Sequence, residues 1–357
     1  QAKFTTGPAE HTLLAGIDYR YGTRDYVWGY GAAPSIDLND PQYGGAAYSA
    51  ITLSTTQSQD LTAKQLGVYL QDQVEIGRLN LSAGLRYDRA STEILDRLTS
   101  NNDQSYDDGA LTGRAGALYA FDNGIAPYVS YSTSFEPSLY APEQGQKAFD
   151  PTTAQQMEIG VKYAPEGTDL LFTAAYYDLR QKDAVQGSWN STLGRSVYYQ
   201  IGEIHNRGLE LSGRANLARN LSMIASYSYI DSEVVESVTS GEVGKMPARI
   251  PQHQASLWGT YAFDAGVLDG LTLGAGVRYI GTSWGNNTNT FKVDAVALFD
   301  AMASYDFGAI DQNWKGLSLQ VNVKNIADTQ YVASCASAYA CFWGNGRTVM
   351  ASLKKTW

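Results

Sequence analysis

Charged residues are scarce in this 357-residue sequence: they make up 17% of it, against roughly 25% in a typical soluble domain. The balance is acidic, with a formal net charge of −10, which argues against a nucleic-acid binder. No stretch approaches the run of about 18 apolar residues that a transmembrane helix needs. If the chain spans a bilayer it must therefore do so as a closed β-barrel, because every backbone N–H and C=O group must be paired in lipid.

The residues that carry most enzyme and metal chemistry are also sparse. There are only three histidines, His11, His205 and His253, and they are too scattered to predict a metal site. A nucleophile elbow, a Walker loop and a zinc motif are all missing from the sequence. We therefore expect no catalytic residues, no bound metal and no cofactor, and the sequence favours transport over catalysis.

Cysteine occurs only twice, at Cys335 and Cys341, close together in a predicted loop. In an oxidising compartment the two are expected to form a disulfide bond that closes a short loop. The alternative is a metal pair, but neither a histidine nor a second cysteine pair lies nearby in the sequence.

Strict alternation of apolar and polar residues is what the sequence has in abundance. Residues 79–88 and 317–324 alternate without a break, and residues 349–354 follow the same pattern. A period of two places apolar side chains on one face of a strand and polar ones on the other, as suits a strand between two different solvents. The terminal Trp357 further predicts an aromatic ring anchored at a membrane–water interface.

Connections between the predicted strands alternate between short and long. Tight turns such as 122–124 and 165–167 alternate with long loops such as 26–60, 92–108 and 180–194. About fourteen strands of roughly 9–15 residues result, which predicts an all-β fold, a transmembrane antiparallel up-and-down β-barrel. A soluble β-sandwich also alternates, but its strands average about 5–6 residues and nothing forces its loops to alternate in length.

The long loops hold the candidate binding residues. Trp28 and Tyr30 lie in the first predicted loop, and Tyr339, Phe342 and Trp343 surround the cysteine pair. Aromatic loop residues that face a lumen can bind a bulky, partly apolar ligand. The alternative for each of them is an interfacial belt or packing of loop on loop.

Several motifs resemble the TonB-dependent siderophore receptors. Residues 131–137 (YSTSFEP), 155–163 (QQMEIGVKY) and 202–210 (GEIHNRGLE) are similar to recurring segments of that family's barrel. Residues 322–328 (NVKNIAD) and 341–344 (CFWG) resemble the C-terminal hairpin of its ferric hydroxamate branch. The likeness extends over essentially the whole chain.

The resemblance implies a receptor in the outer membrane of a Gram-negative bacterium that takes up an iron(III)–hydroxamate siderophore, with energy supplied through TonB. Family members have an N-terminal plug domain inside a barrel of about 22 strands. The plug, the TonB box and roughly the first eight strands have no counterpart here, so residues 1–357 are expected to form the C-terminal portion of the barrel. Outer-membrane lipid or lipopolysaccharide is the expected surrounding, and a monomer the expected state.

A plug-less passive outer-membrane channel is the alternative function. About fourteen strands can in principle close a ring, and a purified chain that conducts steadily would favour this alternative.

Overall fold

A 15-stranded antiparallel sheet dominates the computed structural model of the chain. The structure describes residues 1–37, 39–44, 49, 51–98, 103–140, 148–190, 192–193 and 195–356, with only the backbone at positions 188 and 189. In chain order the strands are β1 (Ala2–Thr6), β2 (Ala9–Tyr30), β3 (Ser54–Ile76), β4 (Leu79–Asp96), β5 (Gln104–Tyr119), β6 (Ile125–Glu136), β7 (Thr152–Tyr163), β8 (Leu171–Asn190), β9 (Arg195–Ala218), β10 (Leu221–Glu236), β11 (His253–Ala262), β12 (Leu271–Ile280), β13 (Ser283–Trp284), β14 (Lys292–Val293), β15 (Val296–Asp306), β16 (Leu317–Lys324), β17 (Val332–Ser337), β18 (Ala340–Trp343) and β19 (Thr348–Lys355).

The sheet is an up-and-down meander in which each strand pairs with its neighbours in the chain. Two small hairpins, β13–β14 and β17–β18, are inserted in loops, so that β12 pairs with β15 and β16 pairs with β19. The predicted all-β, antiparallel architecture is confirmed. The sheet has one strand more than the fourteen predicted, because β1 forms at the first residues of the chain.

Several predicted loops are shorter in the structure than in the sequence interpretation. The first was predicted to run from 26 to 60, but β2 continues to Tyr30 and β3 begins at Ser54. The predicted loops 92–108 and 180–194 shrink in the same way. The alternation in hydropathy fades at these strand ends, where Trp28 directly follows Val27 and Leu95 directly follows Ile94, but cross-strand hydrogen bonding continues.

One face of the sheet is a continuous apolar surface, called here the apolar face. Ile17, Val68, Tyr87 and Leu111 are successive cross-strand partners on β2, β3, β4 and β5, and their exposures are 73, 47, 54 and 68%. Val129, Ile159, Tyr176 and Leu209 form a second row of cross-strand partners on the same face, on β6 to β9. A soluble monomer rarely exposes an apolar patch of this extent, so the face is built for contact with lipid.

Aromatic pairs mark the end of the sheet where the short turns lie. Each pair is a Tyr-x-Phe at a strand end with an edge-to-face geometry, as suits a girdle at a membrane–water interface. The centroid distances are 4.8 Å for Tyr119–Phe121, 4.8 Å for Tyr261–Phe263 and 5.4 Å for Tyr305–Phe307. The terminal Trp357, which was predicted to serve the same purpose, lies outside the described residues.

Three 3-10 turns lie near this end, at Gly266–Leu268, Phe307–Ala309 and Gln312–Trp314. Within the part of the chain that the structure describes, no helix has both the length and the apolar character needed to cross a membrane.

Candidate functional site

The polar face of the sheet carries ordered charge networks. Asp18, Gly67 and Asp88 are successive cross-strand partners, and the guanidinium of Arg86 lies over Gly67. Arg86 Nη1 is 2.5 Å from Asp18 Oδ2, and Arg86 Nε is 2.6 Å from Asp88 Oδ2. Gln65 donates to the nearly buried Asp88 carboxylate over 2.8 Å. A Cβ atom at position 67 would collide with the guanidinium, so glycine is what makes room for it.

A pocket lies at the other end of the sheet, where the long loops meet. Its volume is about 620 Å³, within the range of roughly 300–1,000 Å³ for small-molecule sites. It is called the loop pocket here. Its lining residues are Gln186 and Gly187 of β8, Tyr199 of β9, Thr239, Glu242, Ala248 and Arg249 of the β10–β11 loop, Asn286, Asn287 and Thr288 between β13 and β14, and Ala336 of β17.

Asn287 joins three of the segments that form the loop pocket. Its Nδ2 donates to Gln186 Oε1 over 2.8 Å and to Glu242 Oε1 over 3.1 Å, while its Oδ1 accepts from the backbone N–H of Ala248 over 3.0 Å. Glu242 is 3% exposed, and its second oxygen accepts from Ser237 Oγ over 2.8 Å. A buried carboxylate with hydrogen-bond partners gives the pocket a fixed polar floor.

The electrostatics of the loop pocket are close to balanced. Burial raises the pKa of Tyr199, and the charge of Glu242 raises it further, so the phenol stays protonated and can donate a hydrogen bond. Among the lining residues Glu242 and Arg249 carry opposite formal charges. The pocket thus presents several hydrogen-bonding groups with no net charge, which suits a ligand that is itself neutral or weakly charged.

The disulfide hairpin, β17–β18, forms one wall of the loop pocket. Cys335 and Cys341 are bonded, with an S–S distance of 2.00 Å, so the predicted disulfide is confirmed. Ala336 lines the pocket, and the ring centroid of Phe342 lies 5.9 Å from Cζ of Arg249, which also lines it. The hairpin therefore contacts the pocket through one small residue and one cation–π pair.

The five aromatic residues predicted to bind ligand fall into two groups. Phe342, Trp343 and Tyr339 lie on the disulfide hairpin, where Tyr339 at the tip is fully exposed and Trp343 is 73% exposed. Trp28 and Tyr30 were predicted in a loop, which is wrong: both belong to β2, because cross-strand pairing with β3 continues to Tyr30. Trp28 shares the polar face with Asp18, ten residues earlier on the same strand. Their role as ligand contacts stays a prediction.

Sequence reasoning missed the polar residues of the loop pocket. Gln186, Tyr199, Glu242 and Asn287 come from four separate elements of the chain, and none lies in a motif. The one available signal was the run Gly-Asn-Asn-Thr-Asn-Thr at residues 285–290, which is unusually rich in side-chain amides for a short loop.

Comparison with known proteins identifies the family to which this architecture belongs. A family profile described as TonB dependent receptor-like, beta-barrel matches residues 1–326. The chain belongs to this family. It is 38% identical over 361 residues to the ferrichrome outer membrane transporter/phage receptor of Escherichia coli (strain K12), covering 99% of this chain and 47% of that protein. It is 38% identical over 348 residues to the ferrioxamine B receptor of Salmonella typhimurium (strain SL1344), covering 98% and 48%.

Two solved receptor structures share the fold. The ferric-catecholate import receptor Fiu from E. coli K12 matches with a TM-score of 0.79 at 23% identity, over 99% of this chain and 53% of that one. The siderophore receptor PiuA from Acinetobacter baumannii matches with a TM-score of 0.76 at 25% identity, over 99% and 54%. The chain thus has the fold of an outer-membrane β-barrel and spans about half the length of the two curated relatives named above. In outer-membrane barrels the apolar face contacts lipid, the polar face lines the lumen and the long loops are extracellular, and we assign the two faces and the loops of this chain accordingly.

Proposed function

We propose that this chain supplies barrel wall and extracellular loops to a receptor for an iron(III)–hydroxamate siderophore, and that the loop pocket is where the ferric complex docks. The observation that carries the proposal is the charge balance of the loop pocket, where Glu242 offsets Arg249 among neutral hydrogen-bonding groups. Three hydroxamates, each carrying one negative charge, neutralise Fe³⁺. Three catecholates leave a triply negative complex, which a pocket with one balanced cation would accept poorly.

The names of the curated relatives support the same ligand class. One is a ferrichrome transporter and another a ferrioxamine B receptor. Uptake would be energised by TonB through a part of the receptor outside these 357 residues. The barrel would be a monomer surrounded by outer-membrane lipid and lipopolysaccharide, and the ferric ion would be cargo rather than a resident metal.

A fluorescence titration of the full-length receptor tests the proposal. Ferrioxamine B and ferrichrome, both loaded with iron, should quench tryptophan emission saturably, and a ferric tris-catecholate should not. Quenching by the catecholate alone, or by no ferric siderophore, would sink the proposal. Steady ion conductance of the purified protein in planar bilayers, without ligand quenching, would favour the passive channel instead.

A further inference from the structure

The long loop between β16 and β19 has two ends, residues 325–331 and 344–347, which lie side by side and are called the neck here. One buried amide organises the neck. Asn325 directly follows β16 and is 2% exposed. Its Nδ2 donates to the carbonyl oxygens of Thr329 over 3.0 Å and Asn345 over 3.1 Å, and its Oδ1 accepts from the N–H of Thr329 over 2.9 Å. The bond to Asn345 therefore ties the entry of the loop to its exit, while the two bonds to Thr329 fix the turn at the entry.

Only a short primary amide meets the requirements at this position. The backbone of Asn325 is left-handed, with φ of 52°, a conformation that Asn and Asp tolerate better than other residues with a side chain. An aspartate would keep the shape and the acceptor, but would place a carboxylate oxygen against the two carbonyl groups that now receive N–H donors.

The neck is anchored to the barrel wall by a charged pair. The backbone N–H of Asn325 donates to Asp300 Oδ1 over 2.8 Å, and the same carboxylate accepts from Arg278 Nε over 2.5 Å. A further hydrogen bond joins the two ends of the loop, since the N–H of Arg347 donates to Asp328 Oδ1 over 2.7 Å. The strand ends, the neck and the wall thus form one hydrogen-bonded unit.

The disulfide hairpin extends directly from this neck. Gly344 donates its N–H to the carbonyl oxygen of Tyr331 over 2.8 Å, which closes the neck just below the hairpin. The hairpin in turn supplies Ala336 to the loop pocket and places Phe342 against Arg249. The direction in which the neck holds the hairpin therefore decides where one wall of the pocket stands.

We infer that Asn325 is a positioning residue for ligand capture: it holds the disulfide hairpin over the loop pocket without itself lining the pocket. The inference rests on the proposed function for the identity of the ligand. The hydrogen bonds of Asn325 in the neck are independent of that proposal. Loss of the two donated hydrogen bonds releases the hairpin, so that the pocket must be ordered again at each binding event.

The test is Asn325→Asp in the full-length receptor, with Asn313→Asp as the matched control. Asn313 lies in an exposed 3-10 turn at the periplasmic end, so the control makes the same chemical change far from the neck. Hydrogen exchange followed by mass spectrometry should show faster exchange of residues 329–346 in Asn325→Asp, with unchanged protection of β15 and β16. The affinity for iron-loaded ferrioxamine B or ferrichrome should fall about tenfold, the usual scale for a buried carbonyl left unpaired.

A second variant covers the case in which the carboxylate prevents assembly. Asn325→Gly keeps the left-handed backbone and removes all three side-chain bonds, so it should give the same pattern of exchange and affinity. Unchanged exchange in residues 329–346, or faster exchange with unchanged affinity, would overturn the inference. If the unmodified receptor binds neither ferric hydroxamate, the proposed function fails, and the exchange measurement alone decides whether Asn325 holds the hairpin.

Discussion

The barrel wall and the extracellular loop cluster of this chain are built by different means. In the wall one pattern repeats along every strand, because successive side chains point to opposite faces of the sheet. Val68 and Tyr87 are thus assigned to the lipid face, and their neighbours Gly67 and Asp88 to the lumenal face. In the loop cluster no rule repeats. Its pocket depends on individual contacts such as that of Asn287 with Glu242, between segments far apart in the chain.

The difference shows where sensitivity to mutation should lie. A wall residue stabilises the barrel when its side chain suits the lipid or water that its face contacts. A substitution there affects the packing of the neighbouring strands as well. The effect of substituting a residue of the loop cluster depends on whether its hydrogen-bond partners remain paired. Wall substitutions should therefore change stability, and loop substitutions should change binding while leaving the barrel folded.

The largest effect is expected from a charge on the apolar face. Val68→Arg should lower the free energy of unfolding by up to about 4 kcal/mol, the cost of an arginine that faces the hydrocarbon core of a bilayer. Gln73→Arg is the matched control, on the same strand but on the polar face. Denaturant titration in lipid vesicles measures both, and an equal loss in the two variants would contradict the assignment of the faces.

The charge network of the wall should give the next largest effect. Arg86→Met leaves the nearly buried Asp88 without its cation and should cost about 1–3 kcal/mol of unfolding free energy. Arg219→Met removes a largely exposed arginine whose partner, Asp264, lies 3.4 Å away, and should change stability by less than about 1 kcal/mol. If the two variants unfold alike, the lumenal network does not contribute to stability as the distances indicate.

In the loop cluster, Asn287→Ala should weaken binding of a ferric hydroxamate about tenfold, because the amide that joins β8 to the β10–β11 loop is lost. The unfolding free energy of the barrel should stay unchanged. Asn313→Ala, at the periplasmic end, is the control for affinity. Undiminished affinity in Asn287→Ala would remove the loop pocket from the ligand site.

The smallest effect on the wall is expected from loss of the disulfide bond. Replacing Cys335 and Cys341 together by serine should leave the unfolding of the barrel within about 0.5 kcal/mol, because the hairpin lies outside the 15-stranded sheet. The hairpin itself should become sensitive to chymotrypsin at its exposed aromatic residues. In native membranes a maleimide should label neither cysteine of the unmodified protein without reductant, and labelling of both would show that the bond does not form there.

The sequence predicted the wall well because the wall obeys a period of two. Alternation from Leu79 to Asp88 identifies β4 and its two faces, and the adjacent turn residues Gly77 and Arg78 mark its start. It failed at the upper ends of strands, such as that holding Trp28, because hydrogen bonding persists there after the contrast between lipid and water has ended.

The loop cluster could not be predicted for a physical reason. Gln186, Glu242 and Asn287 have no periodic signature, and their meeting depends on how the β10–β11 loop and the segment between β13 and β14 fold back onto β8. The disulfide bond was predictable because Cys335 and Cys341 are neighbours in the sequence. The role of Asn325 in the neck was not predictable, because its hydrogen-bond partners are backbone groups, which every residue has.

The most direct test of the account is to locate iron in the full-length receptor. Crystals grown with iron-loaded ferrioxamine B should show an anomalous peak at the iron absorption edge, and the ferric complex should contact Tyr199, Asn287 and Ala336 of the loop pocket. A ferric complex held against other parts of the extracellular surface, with the loop pocket occupied by water, would contradict the assignment of this pocket as the docking site.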